Sequence, residues 1–82
     1  MIIDIRTTEE YLKGHIPGAV SIPFMKLSSH PNYYLDKNKT YQIYCNSGNK
    51  SLKLVSTLNQ QGYHCVNLDG GYTKYLFESF HL

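Results

Sequence analysis

No apolar run long enough to span a membrane, no block of charge of one sign and only two cysteines occur in the 82 residues, and each absence excludes something. Without such a run the chain reads as a soluble globular protein, and its 41% apolar content suits one folded domain, residues 1–82, better than two. A chain this short buries only roughly 60 to 65% of its unfolded surface, so modest stability is expected. The formal net charge of +2 comes from scattered lysines, whereas nucleic-acid binders concentrate Lys and Arg on one face or segment; no nucleic-acid partner is implied. Met1 leads directly into Ile2-Ile3-Asp4-Ile5, which lacks both the basic lead and the roughly 7 to 15 residue apolar core of a secretory signal. A cytoplasmic location and no membrane partner are therefore expected. Cys45 and Cys65, in a reducing compartment, are expected to be free thiols, structural or reactive. His15, His30, His64 and His81 show no paired spacing with them, so the pattern holds no zinc site.

What is present is an alternation of short elements. Ile2-Ile3-Asp4-Ile5 is a β-branched run of buried-strand character. Thr7 with Glu10 three residues on matches a capping box, in which each side chain satisfies an orphan backbone N–H of a helix start. Gly14 ends that helix as a residue suited to the left-handed position. His15-Ile16-Pro17-Gly18 is a turn into a second strand, 19–22, which Pro23 stops. From Phe24 to Lys39 the pattern weakens to short helical turns joined by loop. Thr40-Tyr41-Gln42-Ile43-Tyr44 has strand propensity and alternation and runs straight into Cys45. Leu54, Val55 and Leu58 recur at helical spacing between Ser51 and Gln61, with Gly62 as the stop. Residues 64–68 form a further strand, and Asp69-Gly70-Gly71 turns into a last helix from Tyr72 to about Phe80. Strands alternating with helices predict an α/β fold around a mainly parallel sheet with helices on both sides.

Ligands of open parallel sheets bind at the carboxyl ends of strands, and Cys45 stands where strand 40–44 ends. Asn46-Ser47-Gly48-Asn49-Lys50 are polar or small, so the loop can curl until several backbone N–H groups point inward as an anion nest. The helix that begins near Ser51 aims its positive end at the same point. Such donors stabilise a thiolate and draw the thiol pKa from its ordinary value of about 8.5 toward neutrality. Lys50 adds a cation one turn from the sulfur, and Ser47 and Ser51 add hydroxyls. The pocket suits an anionic, tetrahedral group that bears sulfur or phosphorus, and the spacing leaves the choice open. The plainer reading, Cys45 as a small hydrophobe at a strand end, needs no such cradle. Cys65, inside an apolar strand with no donor cluster, reads as a core thiol, at most a distant resolving one. Asp4 and Arg6 read as a structural pair that supports the loop, His15 as a residue that holds its turn, and the tyrosines as packing groups with one wet edge.

Four segments together resemble the rhodanese-like domain family of single-domain sulfurtransferases: Ile3-Asp4-Ile5-Arg6, the stretch Glu10 to Pro23 with its Gly14-His15-Ile16-Pro17-Gly18-Ala19 turn, Tyr44 to Ser51, and Asp69-Gly70-Gly71-Tyr72. The resemblance implies a catalytic role for Cys45, a substrate cradle of Asn46, Ser47, Gly48, Asn49 and Lys50, and loop support from Asp4, Arg6 and Ser51. It also implies that Cys45 takes sulfur as a persulfide from a small anionic donor such as thiosulfate and passes it to cyanide, a small thiol or a partner protein's cysteine. No metal and no organic cofactor enters that scheme.

Three features depart from the family pattern. Lys50 stands where arginine is frequent, which replaces a bidentate oxyanion contact by a point charge. Tyr75 stands where tryptophan is frequent. The chain begins at the Asp4–Arg6 strand, where related domains carry a strand and helix before it; one sheet edge, beside strand 64–68, is therefore expected to be open to edge-mediated self-association. Two rival functions use the same residues. A phosphatase or arsenate reductase on this fold carries a longer loop ending in arginine; a low-turnover sulfur-relay or protein-interaction module is consistent with the open edge and the loop without arginine.

Overall fold

The computed structural model describes residues 1–80. β1 (Ile2–Asp4) leads into α1 (Thr8–Lys13), whose start is the capping box read from the sequence: Glu10 N donates to Thr7 Oγ1 at 3.2 Å and Thr7 N donates to Glu10 Oε1 at 3.2 Å. β2 (Ala19–Ser21) is one residue shorter than expected, although Ile22 still donates its N–H to the Asp4 carbonyl at 3.0 Å. The weak central segment forms two short helices, α2 (Phe24–Ser29) and α3 (Pro31–Tyr34), before β3 (Thr40–Tyr44). α4 (Asn49–Gln60), β4 (His64–Asn67) and α5 (Gly71–Ser79) complete the order. α4 thus begins two residues earlier than the apolar spacing indicates, because its first turn is polar and carries no periodic signal.

Gly14 corrects one expectation. It closes α1 at φ 156° and ψ 142°, outside the left-handed helical region, and a Cβ there would meet the Tyr72 hydroxyl at 2.5 Å. The residue is glycine because an L side chain rarely adopts that positive φ, and the Tyr72 hydroxyl leaves little room beside it.

The four strands are parallel, in the order β2-β1-β3-β4. Ile3 pairs with Ile43 and Tyr41 with Cys65, and successive side chains alternate between faces, so these residues share one face. Leu54, Val55 and Leu58 of α4 and Leu27 of α2 complete the apolar core there. Asp4 and Tyr44 point to the opposite face, where Tyr11 of α1 donates its hydroxyl to the Ala19 carbonyl at 2.7 Å and Tyr72 of α5 stacks 6.4 Å from Tyr44. Helices therefore flank both faces. β4 leaves one edge unpaired among the described residues. No helix among them is long and apolar enough to cross a membrane.

Because all strands run the same way, the segments after Asp4, Ser21, Tyr44 and Asn67 emerge at one end of the sheet. That end carries the site described next. At the centre of the core Leu58 is 1% exposed. Leu58→Ala is expected to lower the unfolding free energy by about 2 to 5 kcal/mol, read as a shift of the urea midpoint at unchanged slope. An unshifted midpoint would contradict this packing.

Candidate active site

Cys45 directly follows β3, and its side chain is buried. Its Sγ accepts the backbone N–H of Gly48 at 3.2 Å and of Ser51 at 3.4 Å, and the Ser51 hydroxyl lies 3.3 Å away. Gly48 makes this curl possible. It sits at φ 94° as the residue before α4, and a Cβ there would meet the Gly70 amide nitrogen at 2.8 Å. The first turn of α4 consequently points its free N–H groups at the sulfur. Burial alone pushes the Cys45 thiol up, but the Ser51 hydroxyl and the N–H groups of Ser51, Gly48 and Lys50 outweigh it and hold the pKa below the ordinary thiol value. A cysteine that served only as a small hydrophobe would not gather these donors.

The structure brings the sequence-predicted residues together in unequal roles. Ser51, fully buried, is the closest polar side chain: its hydroxyl lies 3.3 Å from Sγ, where it can donate to a thiolate, and 3.3 Å from the Gly48 carbonyl, to which it also donates. Lys50 reaches the sulfur through its backbone, whereas its ammonium lies 4.8 Å from the centre of the Phe24 ring. That ammonium stands on the wall of the groove that Cys45 also lines, with its stem carried over Phe24. The Ser47 Oγ accepts the Asn49 N–H at 3.4 Å and shapes the turn. Asn49 opens α4. Asn46 turns its amide away from the sulfur, to Glu10 and Arg6.

Beneath the loop lies a buried polar network. Arg6 Nη2 donates to Asp4 Oδ2 at 2.7 Å, Arg6 Nε to Oδ1 at 3.1 Å and Arg6 N to Oδ1 at 2.8 Å. The Tyr44 hydroxyl donates to Asp4 Oδ2 at 2.6 Å and itself accepts the Ile16 N–H at 3.1 Å. Burial, and then the bond to Asp4, push the Tyr44 pKa far up, which keeps it a donor. Arg6 also donates to the Gly14 carbonyl at 2.7 Å and stacks 4.1 Å above the Tyr72 ring. Tyr44, Tyr72, Gly14 and Phe24 were not singled out as site residues from the sequence. Gly14, Tyr44 and Tyr72 lie within the family-like segments and Phe24 directly follows one, but their contacts span the chain and carry no local signal. His15 stacks on Tyr11 at 3.8 Å, and its Nδ1 lies 2.9 Å from the Tyr11 carbonyl, which holds the turn.

A sequence profile described as the rhodanese-like domain matches residues 1–78. The chain belongs to that family. It is 36% identical over 70 residues to the thiosulfate sulfurtransferase PspE of Escherichia coli strain K12, covering 84% of this chain and 67% of that one. It is 39% identical over 72 residues to a sulfurtransferase of Allochromatium vinosum, covering 87% of this chain and 66% of that one. The chain thus spans about two thirds of these two relatives. Among solved structures, the Staphylococcus saprophyticus protein SSP1007 superposes with a TM-score of 0.83 at 39% identity, covering 90% of this chain and 73% of that one. A rhodanese-related protein of Thermoplasma volcanium gives 0.84 at 30% identity, covering 94% and 76%. The named relatives support a sulfurtransferase role for this rhodanese-like domain.

Beside Cys45 the rhodanese-like domain opens a groove of about 370 Å³, lined among others by Arg6, Glu10, Lys50, Phe24 and Met25. Cys65 lies elsewhere. It pairs with Tyr41, four residues before Cys45 in β3, which at about 3.3 Å per residue puts the two cysteines roughly 13 Å apart along the sheet. A disulfide needs Cα atoms within about 7 Å, so Cys65 does not resolve Cys45 in this fold. Burial pushes the Cys65 thiol up. Among the described residues no group of His, Cys, Asp or Glu could hold a metal ion; His81 lies outside them.

The donors set the pH dependence. Because the Cys45 pKa is lowered, its alkylation by iodoacetamide is expected to rise with pH to an inflection below the ordinary thiol value. Ser51→Ala removes one donor to the anion; a hydrogen bond to a charged group is worth about 1.5 to 3 kcal/mol. The inflection should therefore move up, and the rate at about pH 7 should fall about tenfold or more. Peptide-resolved mass spectrometry checks this against Cys65. An unmoved inflection in Ser51→Ala would contradict the assigned donor.

Proposed function

We propose that this rhodanese-like domain transfers sulfane sulfur through a persulfide on Cys45. The observation that carries the reading is the sulfur's own environment: two backbone N–H groups and a hydroxyl within 3.4 Å, all suited to an anion. In the first half-reaction the Cys45 thiolate attacks the outer sulfur of thiosulfate or of a small persulfide. A Cys45–sulfur bond forms, the donor's sulfur–sulfur bond breaks, and sulfite or a thiolate leaves with the electron pair. The new terminal sulfur carries the negative charge, and the curled loop from Asn46 to Lys50 offers it backbone donors. In the second half-reaction cyanide, a small thiol or a protein cysteine collects that sulfur and Cys45 returns to the thiolate. Neither a metal nor an organic cofactor is used. Lys50 on the groove wall draws an anionic donor to the mouth, and Asp4, Arg6 and Ser51 hold the loop. Two free thiols fit the reducing cytoplasm as the compartment of action.

A second reading, a low-turnover sulfur relay to a partner protein, is favoured by one observation. The groove of about 370 Å³ includes Phe24 and Met25 in its lining, the latter 69% exposed, apolar surface that a small oxyanion does not use and a partner protein can cover. Slow turnover from thiosulfate to cyanide together with fast transfer to a protein thiol would select it.

Intact-mass measurement after incubation with thiosulfate or a small-molecule persulfide tests the shared step. The native protein is expected to gain one sulfur atom, which cyanide removes, and Cys45→Ser is expected to gain none. Sulfur uptake by Cys45→Ser would exclude Cys45 as the carrier.

A further inference from the structure

We propose that Glu10 is a positioning residue for the Cys45 loop and acts through the Asn46 side chain. Glu10 was read from the sequence as a helix cap, and it is one, yet its carboxylate has two oxygens in two duties. Oε1 accepts the Thr7 N–H at 3.2 Å and the Thr7 hydroxyl at 3.1 Å, which fixes the plane of the group. Oε2 accepts Asn46 Nδ2 at 2.8 Å, across 36 residues of chain. The other end of the Asn46 amide is held as well, because Oδ1 accepts Arg6 Nη1 at 3.5 Å, and the Asn46 carbonyl accepts the Thr73 N–H at 3.0 Å.

Asn46 is the residue between the nucleophile and the turn that supplies its donors. If its amide is released, the turn that leads to Gly48 loses its side-chain anchor and keeps only its backbone bonds, such as Thr73 N–H to the Asn46 carbonyl, so the Gly48 N–H, 3.2 Å from Sγ, is held less firmly in direction. The Asn46 amide and the Thr7 N–H also hold the Glu10 carboxyl below the usual range, so it remains an acceptor through neutral pH. The inference rests on Cys45 as the reacting group, but it concerns the thiol before any sulfur arrives.

Two effects of Glu10 on that thiol have opposite signs. As a negative charge on the groove wall, Glu10 disfavours a thiolate, so its removal would lower the Cys45 pKa by field alone. As the holder of Asn46 it keeps the N–H donors aimed, so its removal raises that pKa. The positioning role requires the second sign.

The pH profile of Cys45 alkylation, resolved by peptide mass spectrometry, separates them. In Glu10→Ala the inflection is expected to move up and the rate at about pH 7 to fall about threefold or more, the size of a coupling between residues in contact. Asn46→Ala should behave alike, and the double variant should add little to either. Glu10→Gln keeps one acceptor for the cap and should shift the same way, which covers the case in which Glu10→Ala does not fold. Thr7→Ala loosens the cap but leaves the Asn46 contact; it is expected to lower the melting midpoint and leave the inflection in place. A fall or no change in the Cys45 inflection of the Glu10 variants, additive single variants, or an equal shift in Thr7→Ala would overturn the assignment. Sulfur loading of the native protein is read separately, so loss of the persulfide reading and loss of this one are distinguishable.

Discussion

The buried ion pair between Asp4 and Arg6 is the constraint on which the rest of the site depends. Both side chains are almost wholly withdrawn from water, at 0% and 5% exposed, and such burial is tolerable only when the charges are paired and their remaining hydrogen-bonding capacity is filled. The filling is what organises the molecule. Asp4 receives Tyr44 from β3; Arg6 reaches the end of α1 at Gly14, the Cys45 loop at Asn46 and the Tyr72 ring of α5. Every segment that emerges at this end of the sheet except the one after β2 touches the pair directly. The Ile22 N–H bond to the Asp4 carbonyl brings that one in through the backbone.

On this support the chemistry is carried by backbone more than by side chains. The N–H groups of Gly48, Lys50 and Ser51 are fixed by the start of α4 and need no reorganisation when charge develops on sulfur, which is the advantage of preorganised dipoles over a mobile cation. Lys50 illustrates the division. Its peptide serves the sulfur, while its ammonium over Phe24 gives the groove a positive wall without fixing an oxyanion in two contacts, as an arginine fork would. The thiolate is thereby served by the fold itself.

Much of this was legible in the sequence where the signal is local. The capping box at Thr7 and Glu10, the bounds of β3 and the place of Cys45 at its end follow from residue type and spacing over a few positions. The start of α4 was not legible to the residue, because Gly48 caps it with a left-handed backbone and no side-chain bond, and the polar turn from Asn49 to Ser51 looks like loop. Gly14 was legible as a helix stop that exploits glycine's backbone freedom, but its form, φ 156° rather than left-handed helical, and its contacts with Arg6 and Tyr72 involve partners distant in sequence. The direction of the Lys50 stem and the second duty of Glu10 are likewise tertiary facts, decided by Phe24 and Asn46.

The central claim is that the fold stabilises an anion on the Cys45 sulfur. Direct titration of the thiolate by its far-ultraviolet absorbance, taken as the difference between the native protein and Cys45→Ser, tests it without any substrate. The account expects a single transition below the ordinary thiol value of about 8.5. A transition at or above that value would contradict it.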